Sequence, residues 1–434
     1  MYIIIDSNIR INARNILTTA IFINNLQYIG EGKKLCLIML EKEYNDMCTE
    51  NTNSAITEEE LRLSEQISRE VSKNIYDFLL NEQDVVKQAH ELRMSFGETH
   101  IKNENKKYIN KKLSDVSILI ITATEIERET LFAYFTKKNT NPNMCSKYKI
   151  EKIPNDGLVY SFFYINDFHI VHVEPEMTGS CTTGGTAQTL EKALKRVKPS
   201  VVISLGIAFG NNYNEQRLCD VLIGRQFFAY DKSVKITDKD LKIKKLHVLE
   251  ASNNLLYKIK SCMSFEDTIT GRYKNNFKVF LGNMLTGEYV VDSLSFRNLI
   301  FSPFDAFGII GGEMEAFGMF TTLNGYKRRF RHSIEGMMIK GICDWGVGKN
   351  QSSFDKTLED YASENNIIIP EFLVGIEDFS IIKNNLQVLA MCNTCFVCER
   401  LLNEKEFFSD FKIHGIKKSF WRFAKKIKSV FSRS

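Results

Sequence analysis

Unbroken apolar runs, rather than alternation, mark the middle of this chain. Ser117-Ile118-Leu119-Ile120-Ile121 reads as a strand covered on both faces, the kind a parallel sheet uses. Val201-Val202-Ile203-Ser204-Leu205 and Met337-Met338-Ile339 read the same way, and Phe168 to Val173 is a further strand. Helical patterns stand between them. Thr122-Ala123-Thr124-Glu125-Ile126-Glu127-Arg128-Glu129 turns into a helix. Another runs from about Thr186 to Lys195, a third begins at Ala316-Phe317, and a fourth spans about Phe354 to Val374.

The two ends differ from this middle. Ile3-Ile4-Ile5 predicts a strand, 11–27 a helix, and Leu35 to Leu40 a second apolar run. Leu61, Ile67, Val71, Ile75, Phe78 and Leu79 predict a helical face behind the acid-rich start Thr57-Glu58-Glu59-Glu60. Residues 99–115 are polar and rich in Lys and Asn, as a linker is. Near the other end Phe420, Phe423, Ile427, Val430 and Phe431 fall at helical spacing among Lys417, Lys418, Lys425, Lys426 and Lys428. A basic amphipathic helix docks on the protein's own body, on a partner, or weakly on an anionic membrane. Three parts are therefore expected: 1–110, a sensing or adaptor domain; 111–378, the main domain; 379–434, a Cys-containing basic tail. The strand ending in Asp6 resembles the opening of a receiver domain, but the phosphoacceptor Asp and the downstream Lys of a receiver cannot be placed.

Composition narrows this a little. The 434 residues are 44% hydrophobic and 25% charged, ordinary for a soluble globular protein. Lys and Arg number 57 against 53 Asp and Glu, so the +4 balance gives no ground for nucleic acid as the main partner. No apolar run approaches the roughly 18 residues of a membrane span. The start, Met1 to Asp6, lacks the basic region and the apolar length of an export signal, and ten cysteines are scattered along the chain. Reduced thiols and a cytoplasmic location are expected. Cys392-Asn393-Thr394-Cys395-Phe396-Val397-Cys398 supplies three thiolates but no obvious fourth ligand, His414 lying at an unusual distance; zinc is weighed there against reduced cysteines in an amphipathic segment.

Four loops carry candidate chemistry. Gly311-Gly312-Glu313-Met314-Glu315-Ala316-Phe317-Gly318 sets two carboxylates at a helix start. Lys340-Gly341-Ile342-Cys343-Asp344-Trp345-Gly346 ends an apolar strand in a third carboxylate. Ligands bind at such strand ends in α/β sheets. Leu205-Gly206-Ile207-Ala208-Phe209-Gly210 runs a strand into Gly-x-x-x-Gly, where the missing Cβ atoms let a base or sugar lie on the main chain. The loop from Glu174 to Gly185, rich in Gly, Ser and Thr, feeds a helix and offers N–H groups to an anion or to ribose hydroxyls, although it lacks Walker spacing.

Together these motifs resemble the nucleoside phosphorylase/nucleosidase superfamily, close to methylthioadenosine/S-adenosylhomocysteine nucleosidases. They are nearer still to the phosphorylase-like effector domain of bacterial antiphage proteins, some of which act on ATP. The resemblance covers about 116–375. It implies a three-layer αβα domain with a mixed, largely parallel sheet, and usually a homo-oligomer. It implies roles residue by residue: Glu127 activates the attacking water, Asp344 protonates the purine at N7, and Glu315 holds the ribose hydroxyls with Met314 and Glu313 beside it. Gly206, Phe209, Gly210 and Ser180 line the sugar and base. Leu281 to Asp292 matches the family stretch in which Val290 and Val291 contact the base. Arg128 is available to a phosphate, with Arg225, Lys232 and Lys340 as further cations. No metal and no cofactor are implied.

Each residue also has a plain structural reading. Glu127 suits an acidic helix N-terminus, Asp344 a strand-end cap, and Val290 and Val291 a core strand. The expected activity is N-glycosidic cleavage of an adenine nucleoside or nucleotide, ATP foremost, in a regulated defence effector with an upstream signalling partner. A housekeeping phosphorylase or nucleosidase and a non-catalytic nucleotide sensor are the alternatives.

Overall fold

The computed structural model describes residues 70, 73–75, 77–94, 102–103, 116–136, 151–155, 157–165, 168–236, 241–243, 245–263, 265, 267–330, 334–347, 379–404 and 407. The chain divides into two compact units, Met1–Gln66 with Ile236–Asp240, and all the rest. Apart from Ile236, the first unit lies outside the described residues. So do the sequence's readings of the N-terminal module, the 354–374 helix and the basic tail from 408 onward.

In chain order the described elements are α1 (Gln83–Met94), β1 (Lys102–Asn103), β2 (Ile118–Ile121), α2 (Glu125–Thr136), β3 (Glu151–Asn155), β4 (Leu158–Ile165), β5 (Phe168–Val173), α3 (Thr186–Arg196), β6 (Val201–Gly210) and β7 (Val221–Ala229). Then come α4 (Tyr230–Ser233), β8 (Val234–Ile236), β9 (Leu241–Ile243), β10 (Val248–Glu250), α5 (Asn253–Cys262), β11 (Ile269–Thr270), β12 (Asn276–Phe277) and β13 (Val279–Thr286). The last are α6 (Leu294–Phe301), the 3-10 turn Ser302–Phe307, β14 (Ile309–Glu313), α7 (Ala316–Phe330), β15 (Glu335–Asp344) and α8 (Phe379–Asn403).

The apolar runs are central strands. Ile118 lies between Ile170 of β5 and Val201 of β6, all three strands parallel. β15 is parallel to β6 from Glu335↔Val201 to Asp344↔Phe209, with one irregularity between Ile342 and Asp344. That extra residue, Cys343, shifts the register and re-aims Asp344 at the strand's end. β15 also meets β7 antiparallel, β7 is parallel to β13, β13 to β14, and β14 is antiparallel to the end of β6. These five pairings close a ring, β6–β15–β7–β13–β14, from which the open sheet continues through β2, β5, β4, β3 and β1. The mixed sheet agrees with the expected fold class; the closed ring is a feature that apolar runs alone do not predict. It closes at glycines: a Cβ on Gly311 would lie 2.6 Å from the Phe209 carbonyl oxygen.

Helices cover both faces. A Cβ on Gly336 would meet Leu323, Phe320 and Met319 of α7, whereas one on Gly341 would meet the backbone of Ala390 in α8. Residues five apart on a strand point to opposite sides, so α7 and α8 form the two outer layers.

Two expected boundaries move. The main unit starts at Ile67, not 111: Glu70 and Glu82 bond Tyr213 Oη at 3.1 Å and Arg217 at 3.3 Å, and Val85, Val86, Ala89 and Leu92 of α1 are buried in the core. Nor does a tail begin at 379. α8 is a core helix with Cys392, Cys395 and Cys398 all buried, and Thr394 Oγ1 donates to the Gly206 carbonyl at 3.2 Å. Its apolar residues are spread around the axis because the sheet covers one side and α1 and α2 the other, so it lacks the amphipathic stripe that marks a surface helix. Among the described residues no cluster of three or more His, Cys, Asp or Glu is arranged to hold a metal.

Candidate active site

Glu127 caps its helix with one carboxylate oxygen and reaches the central sheet with the other. Thr124 and Glu127 make a capping box at the start of α2: Glu127 N donates to Thr124 Oγ1 at 3.3 Å, and Glu127 Oε2 accepts from Thr124 N at 2.9 Å and Ala123 N at 2.5 Å. Its other oxygen, Oε1, leaves the helix and accepts from Ile207 N of β6 at 2.8 Å. The side chain is 1% exposed. Gly206 allows this approach, since a Cβ there would strike Oε1 and lie 2.7 Å from Lys340 Nζ.

Lys340 is the residue on which the site converges. It is fully buried on β15, and its Nζ lies 2.7 Å from Glu315 Oε2. Glu315 begins the turn into α7, held there by Glu313, whose Oε2 accepts from Glu315 N at 2.7 Å and from Ala316 N at 3.0 Å. Glu313 is thus a cap for α7 rather than a free ligand. The sequence offered Lys340 as one of several phosphate-binding cations; it is instead an internal counter-ion. Its isolation in an apolar strand, in a chain with acidic motifs to either side, was the signal for that role.

Electrostatics follow from enclosing these groups. Burial raises the Glu127 carboxyl above its ordinary range, Glu315 adds to this, and Lys340 opposes it. Burial, then Glu315, pushes Glu313 up to about 8. Burial alone would lower Lys340, but Glu315, Glu127 and Glu313 outweigh it and hold the ammonium above its usual value. Lys340 is therefore charged, while Glu127 and Glu313 hold a proton more tightly than free carboxyls do.

Asp344 stands four residues beyond Lys340, half-buried at the end of β15. Its Oδ1 accepts from Gly346 N at 2.8 Å and its Oδ2 lies 3.2 Å from Cys343 Sγ. Its register partner is Phe209, and Gly210 beside that residue faces the fully buried Trp345 ring. Met314 carries its carbonyl to the buried Ser180, whose Oγ donates to it at 2.7 Å. Val290 and Val291 part company: Val290 is 67% exposed, while Val291 is buried against the cluster containing Phe209 and Phe301.

Arg128 does not join this group. It donates to Glu174 Oε2 at 2.6 Å and Glu125 Oε1 at 2.7 Å, with Glu129 at 3.4 Å, on the outer side of α2. Successive side chains on a helix diverge by about 100°, so the neighbour of an inward Glu127 points away. Arg225 donates to Asn283 at 3.2 Å, and Lys232 bonds Asp231 at 3.1 Å. A depression of about 320 Å³ between α3 and α7, lined by Ala187, Gln188, Thr322 and Tyr326 among others, includes none of the candidate residues.

No protein-family model matches this chain, and no curated protein does. Solved structures do. The structure is similar to futalosine hydrolase of Helicobacter pylori strain 26695, at 17% identity over 57% of this chain and 93% of that one, with a TM-score of 0.41. It is similar to the 5′-methylthioadenosine/S-adenosylhomocysteine nucleosidase of Neisseria meningitidis bound to methylthio-immucillin-A, at 17% identity over 64% and 97%, TM-score 0.41. The corresponding nucleosidase of S. pneumoniae with a transition-state inhibitor gives 16% identity over 63% and 100%, TM-score 0.41. A likeness at this level says nothing of the reaction; the chemistry rests on the residues above.

Proposed function

We propose that the main unit hydrolyses the N-glycosidic bond of a purine nucleoside or nucleotide, releasing the free base. The observation that carries this is the meeting of Glu127 and Glu315, 188 residues apart in the chain, on the buried ammonium of Lys340, with Asp344 at the end of the same strand. Cleavage needs a protonated leaving base, a held sugar and an activated water. Asp344, half-exposed at the strand end, donates the proton to the purine. Glu315, fixed by Lys340, accepts the ribose hydroxyls. Glu127, raised by burial, takes the proton of the attacking water. Division of labour between carboxylates is the general logic of glycoside cleavage.

Adenine is the base, and ATP the foremost nucleotide, on the resemblance of the GIAFG and GGEMEAFG motifs to effector domains. The fusion to a separate N-terminal unit supports a regulated role in antiphage defence, with an upstream signal acting through that unit and a homo-oligomer as the working state. Any phosphates of the substrate lie away from the acidic enclosure around Lys340, where they would meet three carboxylates. Incubation with adenosine and with ATP, followed by chromatography for free adenine, tests this reading. Absence of adenine from both, with Glu127, Glu315 and Asp344 intact, overturns it.

A further inference from the structure

Glu288 has no part in the chemistry above, yet its carboxylate fills a binding feature of the same site. The glycine-rich loop 178–185 presents two successive amides. Ser180 N donates to Glu288 Oε2 at 3.1 Å and Cys181 N to Glu288 Oε1 at 3.0 Å. Gly179, at φ 105, makes room for it: a Cβ there would lie 2.8 Å from Oε2. The loop is anchored to the sugar-binding turn by the Ser180–Met314 bond, and a Cβ on Gly318 would collide with the Ser180 backbone. Two adjacent N–H groups clasping both oxygens of one carboxylate are the geometry in which a phosphate would be held.

Among the described residues the candidate cations are engaged, and Lys232, the one that acts electrostatically on Glu288, is bonded to Asp231. Arg128 is bound by three carboxylates, Lys232 by Asp231, and Lys340 by Glu315. A phosphate entering the loop would have to expel Glu288 and then share Lys232 with Asp231.

We propose that Glu288 is a specificity-determining residue: it occupies the loop's anion cradle, so that water and not phosphate attacks the sugar. This rests on the hydrolytic reading. In hydrolysis the water oxygen bonds to the anomeric carbon as the carbon–nitrogen bond breaks. The bond's electron pair goes to the base, which takes a proton from Asp344, and Glu127 takes the water proton. Phosphate attack would instead form a carbon–oxygen–phosphorus link and release sugar 1-phosphate.

The test compares the full chain with Glu288→Ala and with the isosteric Glu288→Gln. Binding of inorganic phosphate is measured by calorimetry, and sugar products from adenosine and ATP are identified with and without phosphate. Wild type should bind phosphate at least tenfold more weakly than Glu288→Ala, with Glu288→Gln between them, and should yield free sugar at a phosphate-independent rate. Equal phosphate binding by all three folded proteins, or sugar 1-phosphate from wild type, overturns the proposal. The calorimetric result stands even if no base is released, so it separates failure of this inference from failure of the hydrolytic reading. If Glu288→Ala does not fold, the Glu288→Gln comparison decides.

Discussion

Lys340 Nζ lies 2.7 Å from Glu315 Oε2, and the same ammonium faces Glu127 across the bare α-carbon of Gly206. One buried cation therefore lies between a carboxylate from the turn after β14 and a carboxylate from the first turn of α2. It offsets the repulsion and poor solvation that two buried carboxylates would otherwise bring.

Lys340→Met should accordingly cost about 3–5 kcal/mol of stability, the range for breaking a buried pair from one side. Chemical denaturation measures it. A double change, Lys340→Met with Glu315→Gln, should recover part of the loss because no unpaired charge is left at Glu315. Recovery of nothing would mean that Lys340 acts through packing alone.

Asp344→Asn should lower turnover of adenosine by roughly 10²–10⁴-fold, as loss of a general acid does. The same variant should lose far less on a riboside whose leaving group departs as a stable anion. A rate assay on the two substrates separates a proton donor from a strand-end cap, which would affect both equally.

Glu127→Gln should lower turnover of both substrates by a similar roughly 10²–10⁴-fold, since both need an activated water. The capping-box bond to Thr124 survives in part, so thermal stability should change much less than activity. A melting temperature that falls in step with activity would return Glu127 to a purely structural role.

Stability should depend on pH through Glu313. Its folded carboxyl is raised from an ordinary 4.5 to about 8, so the folded state binds the extra proton more tightly than the unfolded chain. That contribution is whole below about pH 4.5 and is lost as pH rises through about 8. Unfolding free energies measured from pH 5 to 9 should fall with rising pH. Glu313→Gln should flatten that slope while weakening the α7 cap.

Gly341→Ala should destabilise the unit by about 1–3 kcal/mol, because a Cβ there meets the Ala390 backbone and must push α8 off the sheet. In the native protein the exposed Cys181 should be the first of the seven described cysteines to react with iodoacetamide, and Cys392, Cys395 and Cys398 should react only on unfolding. Mass mapping of alkylated peptides reads both.

The central strands and the carboxylate-bearing turns were legible in the sequence because each is a local signal. Ile118 to Ile121 is apolar on both faces, and the doubled glycine before Glu313 can only be a close approach of backbone. What was not legible is set by partners distant in the chain. Nothing local tells that Arg128 serves Glu174, that Val290 stays in solvent while Val291 is buried, or that Glu288 reaches the amides of Ser180 and Cys181, 107 residues from the latter. The clue for Glu288 was indirect, a carboxylate at the end of a strand opposite a glycine loop with no basic residue of its own. α8 was misread because a helix enclosed on every side has no polar face to announce it.

That helix has a bearing on the order in which the unit can be completed. Thr394 bonds the carbonyl of Gly206, the residue whose α-carbon faces both Glu127 and Lys340, and it belongs to the last helix of the described fold. A ribosome that stops before Phe379 therefore leaves a nascent chain holding all the acidic groups but not the wall behind them. Lys340 and its acidic neighbours would then be open to water on the side that this helix seals, so the last described helix is the one that finishes their enclosure.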